Sequence, residues 1–98
     1  MRLETNSSCN LSIGQIVKSK AGRDKQESFI VYEILNDNYV LIVDGRLRKI
    51  SKPKKKKVKH LQKTNIRIEG FSEMKEDRDF NDSLIRKLIN GGKIQEET

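Results

Sequence analysis

The sequence predicts a mainly β protein, a small barrel of short strands followed by one short α-helix, with flexible ends. Two features carry that expectation. Apolar, β-branched runs of five to eight residues recur at short intervals, around Ile13–Lys20, Ser28–Leu35 and Tyr39–Val43, separated by Gly, Asn and Asp turns. Near the end, Leu84, Ile85, Leu88 and Ile89 form a stripe with helical spacing, and no other segment shows one as clearly.

A chain of 98 residues with 34% hydrophobic content makes one domain with a modest core, not two. The expected division is a flexible tail over 1–11, a barrel over 12–68, and an acidic linker, short helix and tail over 69–98. The tail is rich in Ser, Asn and Thr and lacks apolar periodicity.

The first strand runs from about Ile13 to Lys20. Its alternation places Ile16, Lys18 and Lys20 on one face and Gln15, Val17 and Ser19 on the other, with either face able to turn inward. The loop Ser19–Lys25 follows. It has nothing apolar larger than alanine, and Gly22 is the residue best able to take positive φ. The second strand is apolar on both faces: Phe29 and Val31 on one, Ile30, Tyr32 and Ile34 on the other. Burial on two sides in so small a protein predicts a bent strand shared by two halves of a closed barrel.

Asn36-Asp37-Asn38 reads as a turn, because Asn and Asp tolerate αL and bond their own backbone. Tyr39–Val43 is the third strand. Asp44-Gly45 is a residue pair favoured in two-residue hairpins, so Arg46–Ile50 is expected as a fourth strand, with Leu47 opposite Arg46 and Arg48. Pro53 lacks a backbone donor, which makes Ser51–Lys57 a crossover or edge. Apolar spacing resumes at Ile66 and Ile68 as a closing strand, and Glu69–Phe80 reads as a polar linker or wrapped arm. The helix is expected over 81–90, capped by Asn81 or Asp82 and stopped by Gly91-Gly92. Its ten or so residues are too few to hold a helix alone in water, so the stripe must dock on the barrel or on a partner.

Charge is strongly segregated. Residues 1–45 hold five basic and six acidic side chains (−1), 46–68 hold eleven basic and none acidic (+11), and 69–98 hold five basic and eight acidic (−3). Such a block faces a polyanion more readily than it folds against itself, because crowded lysines repel one another until phosphates neutralise them. Arg46, Arg48, Lys54, Lys55, Lys56, Lys57, Lys59, His60 and Lys63 are the candidate contacts, joined by Lys18, Lys20, Arg23 and Lys25 around the glycine loop. A solvated lysine loop and a nuclear import signal at Pro53–Lys59 are the competing readings of the same run. Arg23 and Asp24 can equally form an inconsequential surface pair. Tyr32 and Tyr39 lie in strands, where core packing competes with base stacking.

Other chemistry lacks parts. Cys9 is the single cysteine, so no internal disulfide or zinc cluster is expected, and nothing nearby lowers its pKa. No Walker-type run follows Gly22, and the acids of 69–80 sit in a polar stretch with no apolar pocket. A non-enzymatic protein without cofactor or metal is expected. No apolar run reaches the length of a membrane span, so the expectation is a soluble, cytoplasmic monomer with no membrane partner.

The order of elements resembles a KOW domain, an SH3-like barrel module of ribosomal and transcription-factor proteins. Ile13-Gly14-Gln15-Ile16-Val17, Ala21-Gly22-Arg23-Asp24-Lys25 and Phe29-Ile30-Val31 carry the likeness. Val43-Asp44-Gly45, Lys52-Pro53-Lys54-Lys55 and Lys59-His60-Leu61 extend it toward the large-subunit ribosomal family called fourteen-e and its small bacterial relatives, over about Leu11 to Gln62. The resemblance implies an SH3-like barrel, RNA as ligand (ribosomal RNA above all), association with ribosomes and their proteins, and a role in translation. By analogy it maps contacts to Lys18, Lys20, Arg23, Lys25, Lys54, Lys55, Lys57, Lys59 and His60. The chain departs from the pattern at Gln26-Glu27, where many such loops have a second glycine, and Glu27 sets an anion near the implied RNA face. The alternative is an SH3-like protein-interaction module that uses a barrel face or the C-terminal helix.

Overall fold

The computed structural model describes residues 10–20, 22 and 27–97, with the backbone alone over 91–97. Among these, β1 (Gln15–Ser19), β2 (Ser28–Ile34), β3 (Tyr39–Val43), β4 (Lys54–Lys57) and β5 (Leu61–Arg67) form one antiparallel sheet in the order β4-β3-β2-β1-β5. A 3-10 turn, Val58–His60, joins the two outermost strands. The five strands form a small, barrel-like antiparallel sheet. Helices α1 (Phe71–Met74) and α2 (Asp82–Glu97) follow it.

Alternation along the strands creates two cores, one inside the barrel and one on its back. Val17, Phe29, Val31, Val40, Ile42 and Leu61 fill the interior, and Ile16, Ile30 and Val43 point the other way. The pairings Val17↔Phe29 and Ile16↔Ile30 show both sets meeting across one pair of strands. A register shift between Val31 and Glu33 corrects the expected faces of β2. Ile34 pairs with Val40 and packs into the interior core, away from Ile30 and Tyr32. The inserted residue at the bulge reverses the alternation beyond it. Leu11, expected in the tail, is buried in the interior core; 1–9 lie outside the described residues.

The back core needs a cover, and the C-terminal arm supplies it. Phe71 and Ile85 are fully buried there, with Met74, Phe80, Leu88 and Ile89 packed around them. Thus 69–80 wraps the barrel, and its apolar residues are spent on it. Each large side chain buried this way contributes about 1.5–3 kcal/mol. Asn81 caps α2, its Oδ1 accepting from Leu84 N–H at 2.9 Å. Unlike the expected stop at Gly91-Gly92, the helix continues to Glu97. Glycine inside a helix costs only about 1 kcal/mol relative to alanine and does not itself break it.

The expected strand over Arg46–Ile50 is absent. Asp44 Oδ1 accepts from the N–H groups of Arg46 and Arg48 at 2.8 and 2.9 Å, and Arg48 O accepts from Asp44 N–H, which closes a local turn. Helix α2 then fastens it: Arg86 Nη1 donates to Gly45 O at 2.6 Å, and Asp82 Oδ1 accepts from Ile50 N–H at 2.9 Å. These bonds consume the backbone groups a hairpin would need. Leu47, assigned to an apolar strand face, is instead 79% exposed.

Candidate nucleic-acid interface

Four consecutive lysines form β4. Lysine has little intrinsic preference for strands, so the segment owes its conformation to backbone pairing with β3, in the register Val40↔Lys56 and Ile42↔Lys54. Being an edge strand, it asks no side chain to enter a core on both sides. Lys54 and Lys56 lie on the side of the interior core and are half-buried. Lys55 and Lys57 are exposed on the opposite face, opposite Leu41 and Tyr39. The alternation therefore divides the lysines between two faces of one edge, with successive residues on each face about 6.8 Å apart.

The chain carries this cationic edge around the end of the barrel. Lys59 is exposed on the 3-10 turn, His60 is half-buried, and Lys63 is exposed on β5 opposite Val17. The root of the glycine loop meets the block here. Lys20 N–H donates to His60 O at 2.8 Å, and Ser19 pairs with Leu61. Lys20 and the Lys59–His60 turn thus share one end of the barrel, an adjacency that separation by forty residues of sequence conceals. Gly22 has φ +79°. Arg23 and Lys25 lie outside the described residues.

Of the other predicted cations, Lys18 and Arg46 stand apart from the β4 lysines and Arg48 does not. Lys18 is exposed on β1, on the same face as Ile16, and pairs with Ser28 and Gln62. Arg46 is exposed in the Asp44–Arg48 turn, near Arg86 and Asn90. Arg48 lines a shallow surface with Lys49, Lys52, Lys54 and Lys55, so it adjoins the β4 lysines.

Among the described residues no carboxylate ion-pairs with the edge, although Asp37 lines a groove with Lys57 and Lys59. Among the described residues, the ion pairs are Arg67–Glu69 at 3.5 Å and Lys75–Glu33 at 2.7 Å, and neither involves Lys52–Lys63. The acidic arm is engaged at the back of the barrel, with Lys75 Nζ also donating to Tyr32 O at 2.7 Å.

The two tyrosines separate cleanly. Tyr32 packs with Phe71 and Phe80 at centroid distances of 6.5 and 6.2 Å and lies under Lys75, so its ring is taken. Tyr39 is half-buried beside the lysine edge, with Lys55 Nζ 4.6 Å from its ring centroid. Sequence periodicity gave both tyrosines the same strand context; only the packing of the distant Phe71 and Phe80 distinguishes them.

No group of three or more His, Cys, Asp or Glu side chains among the described residues is placed to hold a metal ion. No described helix is long and apolar enough to cross a membrane. Neither a protein-family model nor a curated protein matches the chain.

Proposed function

We propose that this chain is a non-catalytic RNA-binding protein that holds phosphates along the edge formed by Lys54–Lys57, Lys59, His60, Lys63 and Lys20. One observation carries the reading: a run of lysines on an edge strand and its following turn has no carboxylate within ion-pairing distance among the described residues. Phosphates supply the missing counterpart and release condensed counterions on binding. The resemblance to KOW domains and the fourteen-e family adds ribosomal RNA as the RNA, and ribosome association in the cytoplasm as the setting.

The edge position also favours a second reading. Lysines on an exposed edge discourage strand-to-strand aggregation and need no ligand for that purpose. Changing Lys55, Lys57 and Lys59 to Glu separates the two, since glutamate guards an edge as well as lysine does but repels phosphate. The expected result is an unchanged thermal melt, unchanged solubility and loss of affinity for ribosomal RNA fragments. Unchanged affinity leaves only the edge guard. The protein-interaction alternative loses its helical support, because Ile85 is fully buried and Leu88 and Ile89 pack on the barrel.

A further inference from the structure

Beside the lysine edge, the turn Asn36–Asn38 and the 3-10 turn face each other across a surface groove of about 410 Å³. Its walls are Asp37, Asn38, Tyr39, Lys57, Val58 and Lys59. We propose that this groove receives one unpaired nucleobase of the bound RNA. The inference rests on the RNA reading above and extends it from phosphates to bases.

The wall chemistry fits a base better than a phosphate. Tyr39 and Val58 offer apolar surface, which a phosphate does not use and a base does. Lys55 Nζ lies over the Tyr39 ring, 4.6 Å from its centroid, and Lys55 does not line the groove, so a base would stack on the ring surface that Lys55 leaves uncovered or displace the ammonium. Asp37 is exposed and anionic, so it opposes a phosphate in the groove and accepts hydrogen bonds from a base edge. Guanine, with adjacent N1–H and N2–H donors, matches a carboxylate best. Lys57 and Lys59 stand at the same groove, where the phosphates flanking an extruded base would lie.

The groove is also preorganised. Asn36 Oδ1 accepts from the N–H groups of Asn38 and Tyr39 at 2.8 and 2.9 Å, which fixes the first wall. Val58 N–H donates to Asn38 O at 2.8 Å, which ties the second wall to the first. Binding therefore orders little additional backbone.

The test compares a hairpin RNA whose loop contains guanosines with a fully paired duplex of equal length, by fluorescence anisotropy. Tyr39→Ala is expected to weaken loop binding about 5- to 150-fold, the range for one lost base–aromatic stack. Duplex affinity and its salt dependence should stay as in the wild type, which also shows that the variant is folded. Tyr39→Phe should keep loop affinity, and Asp37→Asn should lower the preference for guanosine over uridine loops. Tyrosine emission, which comes from Tyr32 and Tyr39 alone, should fall on titration of the unaltered protein with loop RNA and not with duplex. Equal, salt-dependent binding of loop and duplex, or loop affinity untouched by Tyr39→Ala, overturns this inference and leaves the phosphate reading standing. Absence of any RNA affinity in the wild type overturns both. Tyr39-dependent capture of an acidic peptide in place of RNA assigns the groove to protein and overturns the base site.

Discussion

Two glycines with nearly identical φ should respond very differently to a single methyl group. Gly22 has φ +79° and Gly45 has φ +78°, so alanine at either meets the same left-handed penalty of about 1–2 kcal/mol. Around Gly22, an added Cβ meets none of the described residues within 4 Å. At Gly45 it would lie 2.5 Å from Asp82 O and 3.0 Å from Arg86 Cγ. The first of these is backbone in the opening turn of α2, so relief requires the helix to move. Ile85, in the following turn and fully buried, would move with it. Its loss from the back core is comparable to a large-to-small core substitution, about 2–5 kcal/mol. Gly22→Ala should therefore cost about 1–2 kcal/mol and Gly45→Ala about 3–7 kcal/mol, the sum of strain and undocking. Urea denaturation of the three proteins, followed by circular dichroism, measures the difference. Equal losses for the two substitutions would refute the claim that the close approach of α2 to the Asp44–Arg48 turn holds this face together.

Two further substitutions probe how polar groups secure the barrel and its cover. Gln15 is 4% exposed, and its Nε2 donates to Thr64 O and Ile66 O at 2.8 and 3.0 Å. Gln15→Ala should cost about 1–3 kcal/mol by leaving carbonyls unsatisfied, and Gln15→Glu should cost more at neutral pH because it faces those carbonyls with a carboxylate; chemical denaturation ranks the two. Lys75 clamps the arm through Glu33 and the Tyr32 carbonyl, both at 2.7 Å. Lys75→Met keeps the alkyl stem but loses the charged bonds, so amide exchange should quicken over Phe71–Phe80 while β1–β3 remain protected.

Much of the barrel is legible from local rules, and its exceptions have specific causes. The turn at Asn36–Asn38 follows from an Asn side chain closing on its own backbone, and the structure shows that bond from Asn36. Two-sided burial of Phe29, Ile30 and Val31 on β2 is read from alternation, but the expected cause, one strand shared by two halves of a closed barrel, is not what is found: the second core is covered by Phe71, Ile85 and their neighbours in the C-terminal arm. The bulge beyond Val31 is invisible to that rule, so Ile34 is assigned to the wrong face. Arg46–Ile50 fails as a strand because Asp82 and Arg86, 32 and 41 residues away from their partners, take hold of Ile50 N–H and Gly45 O. Lys54–Lys57 has the opposite history: its residues are poor strand formers, but β3 offers an unpaired edge and Pro53 stands just outside it. Among site residues, composition locates the cationic block. Lys20 beside His60 and the free groove at Tyr39 depend on chain reversal and on which aromatic the C-terminal arm covers.

The most direct trial of the cationic edge is the dependence of RNA affinity on salt. If the exposed side chains Lys20, Lys55, Lys57, Lys59 and Lys63 each neutralise one phosphate, log K against log salt should fall with a slope of about −3.5 to −4.5. Raising monovalent salt from about 50 to 200 mM would then weaken binding roughly 100- to 500-fold, and Lys57→Gln with Lys59→Gln should flatten the slope by about 1.4–1.8. A slope near zero, or one unmoved by those two substitutions, would contradict the assignment of phosphates to this edge.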